Sequence, residues 1–517
     1  MRDFQQSLIY RRRWRYVVVG VLIGCLVGIV VSLFRWLIGW SLEQIVTIYH
    51  AMQQQPMYLL LFIPITVVMG YGLGLIVKSD PHIKGSGIPQ VELQIQGHLK
   101  MNWWSVLWKK FIAGFISIGS GLFLGREGPS IQLGSAIGHG VARSFKSNRV
   151  QENVFISSGA GAGLAAAFNA PIAGLMFVLE EVHHTFSPTV ALTTLTATIT
   201  ANFVSLQFFG NKPALDLGND IQFPIYYYGY LVGLGIVLAL FGWCYQQVTF
   251  ALPQLYRRFL PMVPTYFYGI FAGLLIIPVG MVAPHLLGGG GELILELVES
   301  YPTATFLLGL LIIRFVYSMI SYGTGLPGGI FLPILSLGAV VGGVYGRIIM
   351  DAANIPTEYF ICFIFFAMAG CFAAIGKAPL TALLLVSEMV GGLNQLMPLG
   401  IVVLTAYLMA EFLHMPPIYE ALAERMIQHH DSQKTGKRTI FEVPIVVESP
   451  LVDRYIKEIK WPEDILIATV RRGEKELITK GSVKLQPGDI LIVVTDEGIV
   501  GHMNEVMAHL VNPTVET

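Results

Sequence analysis

The stretch FIAGFISIGSGLFLGREGPS, residues 111–130, joins a long uncharged run to an arginine and a glutamate set between glycines and followed by a proline. The run from Phe111 to Leu124 suits a bilayer, where adjacent charges are kept only if they face protein or a water-filled path. A second copy of the frame turns this cluster into an architecture. Gly125-x3-Pro129-x4-Gly134-x3-Gly138 recurs 204 residues later as Gly329-x3-Pro333-x4-Gly338-x3-Gly342. PHIKGSG (81–87) recurs 203 residues later as PHLLGGG (284–290), and Ala170-Pro171 with Glu180 recurs 208 residues later as Ala378-Pro379 with Glu388. Three motifs in one order at nearly one offset imply two similar halves, about 16–210 and 225–425. The second copy places Ile330 and Phe331 where the first has Arg126 and Glu127, so only one half carries a titratable group there.

Composition supports a membrane setting. Of 517 residues, 54% are hydrophobic and 13% charged, against about 25% charged in soluble domains. Residues 16–34, YVVVGVLIGCLVGIVVSLF, form one uncharged run, and others recur to about residue 410, each near the roughly 20 residues a spanning helix needs. The first run is too long, and followed by too many others, to read as a cleaved signal. Arg11, Arg12, Arg13 and Arg15 precede it, which by the positive-inside rule assigns a short cytoplasmic segment, 1–15. Lys109, Lys110, Lys146, Arg149, Arg257 and Arg258 mark further cytoplasmic loops on the same rule. Formal net charge is zero, with no electrostatic footprint for nucleic acid. Cys25, Cys244, Cys362 and Cys371 lie in apolar runs without CxxC spacing and read as small buried hydrophobes.

The fold class expected is an α-helical polytopic membrane protein with a small cytoplasmic α+β domain. Of the chain's 66 charged residues, 25 fall in its last 87 positions. A polar linker, 426–438, therefore leads to a separate domain at 439–517. Within it FEVPIVVES, DILIATV and DILIVVT read as strands, RYIKEI as a helical turn, and RRGEK and LQPGD as turns.

Glycine followed closely by proline reads as an irregular lead-in to a helix that starts inside the membrane. GSGIPQVELQI, GREGPSIQLG and GGIFLPILSLG all fit. Free amides and the positive dipole end at such a start suit an anion, and repeat transporters place their substrate where such broken helices meet. The plainer reading of these glycines is GxxxG packing. The sequence by itself leaves open whether the halves are inverted.

GSGIP (85–89), GREGP (125–129), GGIFLP (328–333) and the tyrosine of PPIYEAL (416–422) resemble the anion-site signatures of the CLC chloride channel and transporter family. AGLAAAFNAPIAGLMFVLEEV (162–182) is similar to a further family segment, and the likeness spans about residues 16–425. It implies inverted repeat halves and a homodimer in a plasma membrane, such as a bacterial inner membrane, with both termini cytoplasmic. It also implies chloride exchanged for protons, with a passive gated chloride channel as the alternative. On this resemblance Ser86, Tyr419 and the amides of Ile330 and Phe331 bind chloride. Glu127 is the gating glutamate, competing with chloride as a carboxylate and yielding when protonated. Glu181 is the second proton-path glutamate. Gly85, Gly87, Gly125, Arg126, Gly128 and Gly329 complete the helix-start motifs. Ser86, where some relatives have proline, implies chloride over nitrate, with bromide also carried; the motifs of the family's fluoride specialists differ.

Residue-level alternatives sharpen these assignments. Arg126 and Glu127 could form only a structural ion pair. Glu180 and Glu181, being adjacent, cannot face the same way on a helix, and since Glu180 has Glu388 as its counterpart, Glu181 is the candidate for a role confined to one half. EEVHH (180–184) contains the Glu-x-x-His spacing of di-metal bundles, but its counterpart SEMVGG has no histidine, so no metal is expected. No HExxH, Walker A or GxSxG pattern suggests an enzyme, and no cofactor is expected in the membrane part. The tail's FEVPIVVESPLVDRYIKEI and LQPGDILIVVT resemble the C-terminal subdomain of RCK, or TrkA-type, regulators rather than paired CBS domains. That resemblance implies a dimerising regulatory module for a small ligand such as a cyclic dinucleotide; the plainer alternative is an assembly domain.

Overall fold

In a computed structural model of the chain, residues 2–211, 213–215, 221–426, 438–447, 449–473, 475–496 and 499–511 are described, with side chains from residue 14 onward except at 299. Residues 427–437 of the expected linker lie outside the described residues.

The first half contains α1 (Arg2–Gln54), α2 (Leu59–Ser79), α3 (Ile88–Gln96), α4 (Trp103–Gly119), α5 (Glu127–Ser144), α6 (Arg149–Phe168), α7 (Pro171–Phe177) and α8 (Pro188–Phe209). The second contains α9 (Tyr228–Phe259), α10 (Tyr268–Leu275), α11 (Ile277–Val282), α12 (Gly291–Ser300), α13 (Ala304–Gly323), α14 (Phe331–Ala353), α15 (Phe360–Gly376), α16 (Pro379–Val390), α17 (Leu396–Phe412) and α18 (Ile418–Glu424). The repeat is tertiary as well as sequential. α1 packs on α8 as α9 packs on α17, and α5 on α6 as α14 on α15.

Eight helices among the described residues are long and apolar enough to cross a membrane. α5, α6, α14 and α15 form a buried inner set. Around them the outer helices expose Leu22, Ile29, Leu60, Phe203, Ile312 and Phe412, an apolar surface that suits acyl chains and would be a liability in water. The inner helices touch through small residues. A Cβ on Gly134 would overlap the Gly159 carbonyl, and one on Gly342 would overlap Ala367 and Phe363. For Gly134, Gly138, Gly338 and Gly342 the packing reading is thus the right one.

α1 runs through Arg35 to Gln54, and the Arg35 guanidinium hydrogen-bonds Asn169 at 3.1 Å and lies over the Phe209 ring at 4.0 Å. Two expectations are corrected here. Lys110 does not mark a loop; it is fully buried in α4. Cys362 and Cys371 are buried, whereas Cys25 is half-buried and Cys244 exposed on the apolar surface.

The tail is a four-stranded antiparallel sheet, β1 (Arg438–Pro444), β2 (Leu466–Arg472), β3 (Lys475–Ile478) and β4 (Asp489–Asp496), in the order β1-β4-β2-β3, with α19 (Val500–Val511) packed against β1 and β4. Its core is Val470, Leu485, Leu491, Val493 and Met507. β3 and α19 are additions to the sequence reading. The tail meets the membrane domain at the end of α3: the Asn504 amide donates to the Gln96 carbonyl at 3.5 Å, and Gly501 lies against His98.

Candidate anion site and carboxylate gate

Three helices begin side by side inside the protein. α3 starts after Gly87, whose φ of 91° is left-handed and suits glycine; α5 starts at Glu127 and α14 at Phe331. Backbone contacts lock the lead-ins together. Gly125 and Gly329 exchange hydrogen bonds at 2.7 Å in both directions, and the Gly328 amide donates to the Gly85 carbonyl at 3.0 Å. The Lys110 ammonium donates to the Gly85 and Ile83 carbonyls at 2.8 and 2.9 Å, a buried cation satisfied by backbone dipoles. Gly128 is required by proximity, since a Cβ there would lie 2.8–3.0 Å from Ser86.

Glu127 is fully buried, and its carboxylate makes no hydrogen bond of ordinary geometry, lying within reach of its own amide and that of Leu332. A Cβ on Gly125 would collide with Glu127 Oε2 and come within 3.2 Å of the Leu332 amide nitrogen. The carboxylate therefore sits among the first amides of α14, where four N–H groups lack intrahelical partners and the dipole favours negative charge. Arg126 Nε is 3.8 Å from Oε1, beyond hydrogen-bonding range, so no hydrogen-bonded ion pair pins the glutamate.

Ser86 is buried beside this point, and its Oγ accepts from the Ile88 amide at 3.3 Å. Ile330 caps α14 and Phe331 is its first residue. The Phe331 ring packs on Phe168 and Phe372, 5.5 and 4.3 Å between centroids, which fixes the amides beside it. Tyr419, on α18, is fully buried with a phenol oxygen lacking a partner. Buried hydroxyls and helix-start amides are suited to a dehydrated anion, because partial charges bind it without holding it fast.

Glu181 lies on a π-helical turn, Val178–Val182, that continues α7. Such turns are uncommon and collect at functional sites. The adjacent glutamates part ways on this turn. Glu180 accepts from the Leu380 and Thr381 amides of α16 at 3.0 and 2.6 Å, and Glu388 reciprocally accepts from the Ile172 and Ala173 amides of α7 at 3.1 and 2.8 Å. Exchange of this kind is what two halves related by a pseudo-twofold axis produce. Glu181 is buried instead, its charged neighbours including Glu180, Glu420 and Glu92, whereas those of Glu127 are Arg126 and Arg35.

Comparisons with known proteins now decide the family. Residues 65–411 match the family described as voltage gated chloride channel, two-thirds of the chain. The chain belongs to this family. Within the CLC family it is 30% identical over 429 residues to the H(+)/Cl(-) exchange transporter ClcA of Salmonella arizonae, covering 81% of this chain and 89% of that one. It is 31% identical over 429 residues to the protein of the same name from Salmonella schwarzengrund. Among solved structures, a slow cyanobacterial Cl-/H+ antiporter is 30% identical with a TM-score of 0.76, covering 81% of this chain and 99% of that one. A CLC-type fluoride/proton antiporter, at 21% identity and TM-score 0.64, shares the fold. Residues 440–507 match the TrkA-C domain.

In this CLC chain, sequence reasoning missed several buried polar residues around the site. Glu92 of α3 is buried with an unpartnered Oε1, within electrostatic reach of Glu181 and Glu420. Tyr322, at the end of α13, interacts with the Ser86 side chain. A carboxylate in IPQVELQI and a lysine among apolar residues of α4 were available signals, but Tyr322 carried none. His183 of EEVHH hydrogen-bonds Ser157 at 2.7 Å, and no cluster of metal-ligating side chains occurs among the described residues.

Proposed function

We propose that this CLC protein exchanges chloride for protons across a plasma membrane as a homodimer, with Glu127 as the gate and Glu181 as the second proton carrier. The observation that carries the reading is the buried Glu127 carboxylate among the amides of α14. An ionised carboxylate there substitutes for a chloride ion. Protonation removes its charge and its claim on those amides, so chloride enters as the side chain leaves, which ties one proton to anion movement. Ser86, Tyr419 and the amides of Ile330 and Phe331 serve the central chloride. The reading is favoured over a passive channel by the buried Glu181 and by the likeness to an H(+)/Cl(-) exchange transporter and a Cl-/H+ antiporter.

Both termini are assigned to the cytoplasm, and bromide is a further cargo. The TrkA-C tail is assigned a regulatory role with a small ligand such as a cyclic dinucleotide. In sealed vesicles containing the purified full chain, an imposed chloride gradient should drive protons against their own gradient. Chloride flux without proton movement would reduce the protein to a channel.

A further inference from the structure

Where the tail docks, a cavity of about 250 Å³ opens between the two domains. Its ionised walls are Lys100, Arg143, Arg149 and Glu152 from the membrane domain and Arg438 from β1, with the His139 imidazole beside them. Glu152, the one acid among them, is shared by His139 at 3.3 Å and Arg149 at 3.6 Å. Among the described residues the balance of the cavity is therefore positive, with contributions from both domains. Chloride is too small to bridge such a space, whereas guanidinium groups match the oxygens of a phosphate in bidentate fashion. The volume lies just under the usual range for organic ligands, about 300–1,000 Å³, which suits a single phosphate-bearing group.

The position of the cavity gives it a mechanical meaning. α5 carries Glu127 at its first position and Arg143 in its last turn, about 24 Å apart at 1.5 Å per residue. α3 begins beside Ser86 and ends at Gln96, where the Arg149 guanidinium donates to the Gln94 carbonyl at 2.7 Å. The cavity thus touches the far ends of two of the helices whose starts build the anion site.

We propose that this seam binds a phosphate-bearing anion, either a soluble phosphate compound or an anionic lipid headgroup, and that its occupancy sets the transport rate by clamping the tail onto α3 and α5. The test uses the full chain at constant ionic strength. Inorganic phosphate or AMP is added to neutral phosphatidylcholine vesicles in one arm, and phosphatidic acid is included in the membrane in the other. Chloride flux and the melting temperature of the detergent-solubilised protein are both recorded.

The expected result is a saturable change in flux of at least twofold together with a raised melting temperature. A response to phosphate or AMP assigns a soluble ligand, and a response confined to phosphatidic acid assigns a headgroup. The R143Q/R438Q double variant should need at least tenfold more ligand, and Glu152→Gln should need less. Absence of a saturable response in both flux and melting, or an identical response in the double variant, overturns the proposal. Proton coupling measured without phosphate tests the exchange reading independently.

Discussion

Gly125 and Gly329 lie 204 positions apart, yet each donates its amide to the other's carbonyl at 2.7 Å. This two-residue bridge holds the start of α5 against the start of α14 and so sets where the Glu127 carboxylate meets the Leu332 amide. Gly125→Ala would place a methyl group on Glu127 Oε2, 3.1 Å from Pro333 Cδ, and neither backbone nor proline ring can yield cheaply. Turnover should fall at least tenfold in a vesicle flux assay, while the protein still purifies as a folded membrane protein.

Removing the carboxylate separates the two fluxes. Glu127→Ala should carry chloride at a measurable rate with no chloride-driven proton movement at any pH, because nothing titratable remains among the α14 amides. Glu127→Gln mimics the protonated form and should behave in the same way. Paired chloride-electrode and pH-electrode recordings check this, and residual proton pumping in Glu127→Ala would remove Glu127 from its role.

The two adjacent glutamates of the π-helical turn after α7 should fail differently. Glu180→Ala removes three hydrogen bonds into α16, and each hydrogen bond to a charged group contributes about 1.5–3 kcal/mol. Thermal unfolding should register a lower midpoint, and Glu388→Ala should match it from the other side of the junction. Glu181→Gln should leave the midpoint nearly unchanged and weaken proton coupling. A large stability loss with intact coupling in Glu181→Gln would reverse the two assignments.

Tail docking should depend on pH through His98, which lies in the segment between α3 and α4. Burial against α19 holds its imidazole below the ordinary range; Glu505, 3.6 Å away, opposes the shift and His502 adds to it. The docked state therefore favours neutral His98. Docking is at full strength above the free imidazole value of about 6.5 and weakens as pH falls through it. Hydrogen exchange in Val500–Val511 should be slower at pH 7.5 than at 5.5, after correction for intrinsic rates, and His98→Gln should flatten the difference.

The glycine motifs were legible as sequence because a helix start inside the protein admits few residue types, and the repeat doubled the signal. Glu127 stood out for the same reason. α1 defeated the charge pattern, since Arg35 is accommodated by Asn169 and Phe209, partners more than a hundred positions away. Lys110 misled for a related cause: its acceptors are carbonyls of the Gly85 loop, invisible to a rule that counts charges near membrane boundaries. Tyr322 and Glu92 became site neighbours only through tertiary packing. β3 is four residues long, and KELI lacks the β-branched, alternating pattern that announces a strand.

The π-helical turn at Val178–Val182 makes chain length itself a functional variable. It holds one residue more than an α-helical turn would, and it carries both Glu180, bonded to the opposite half, and the buried Glu181. Deleting one residue there would rewind the turn and rotate everything beyond it by about 100°. The two duties would then fall on the wrong side chains although no acidic residue had been lost. A survey that tallies glutamates would pass such a variant as intact, whereas its spacing would mark it as uncoupled.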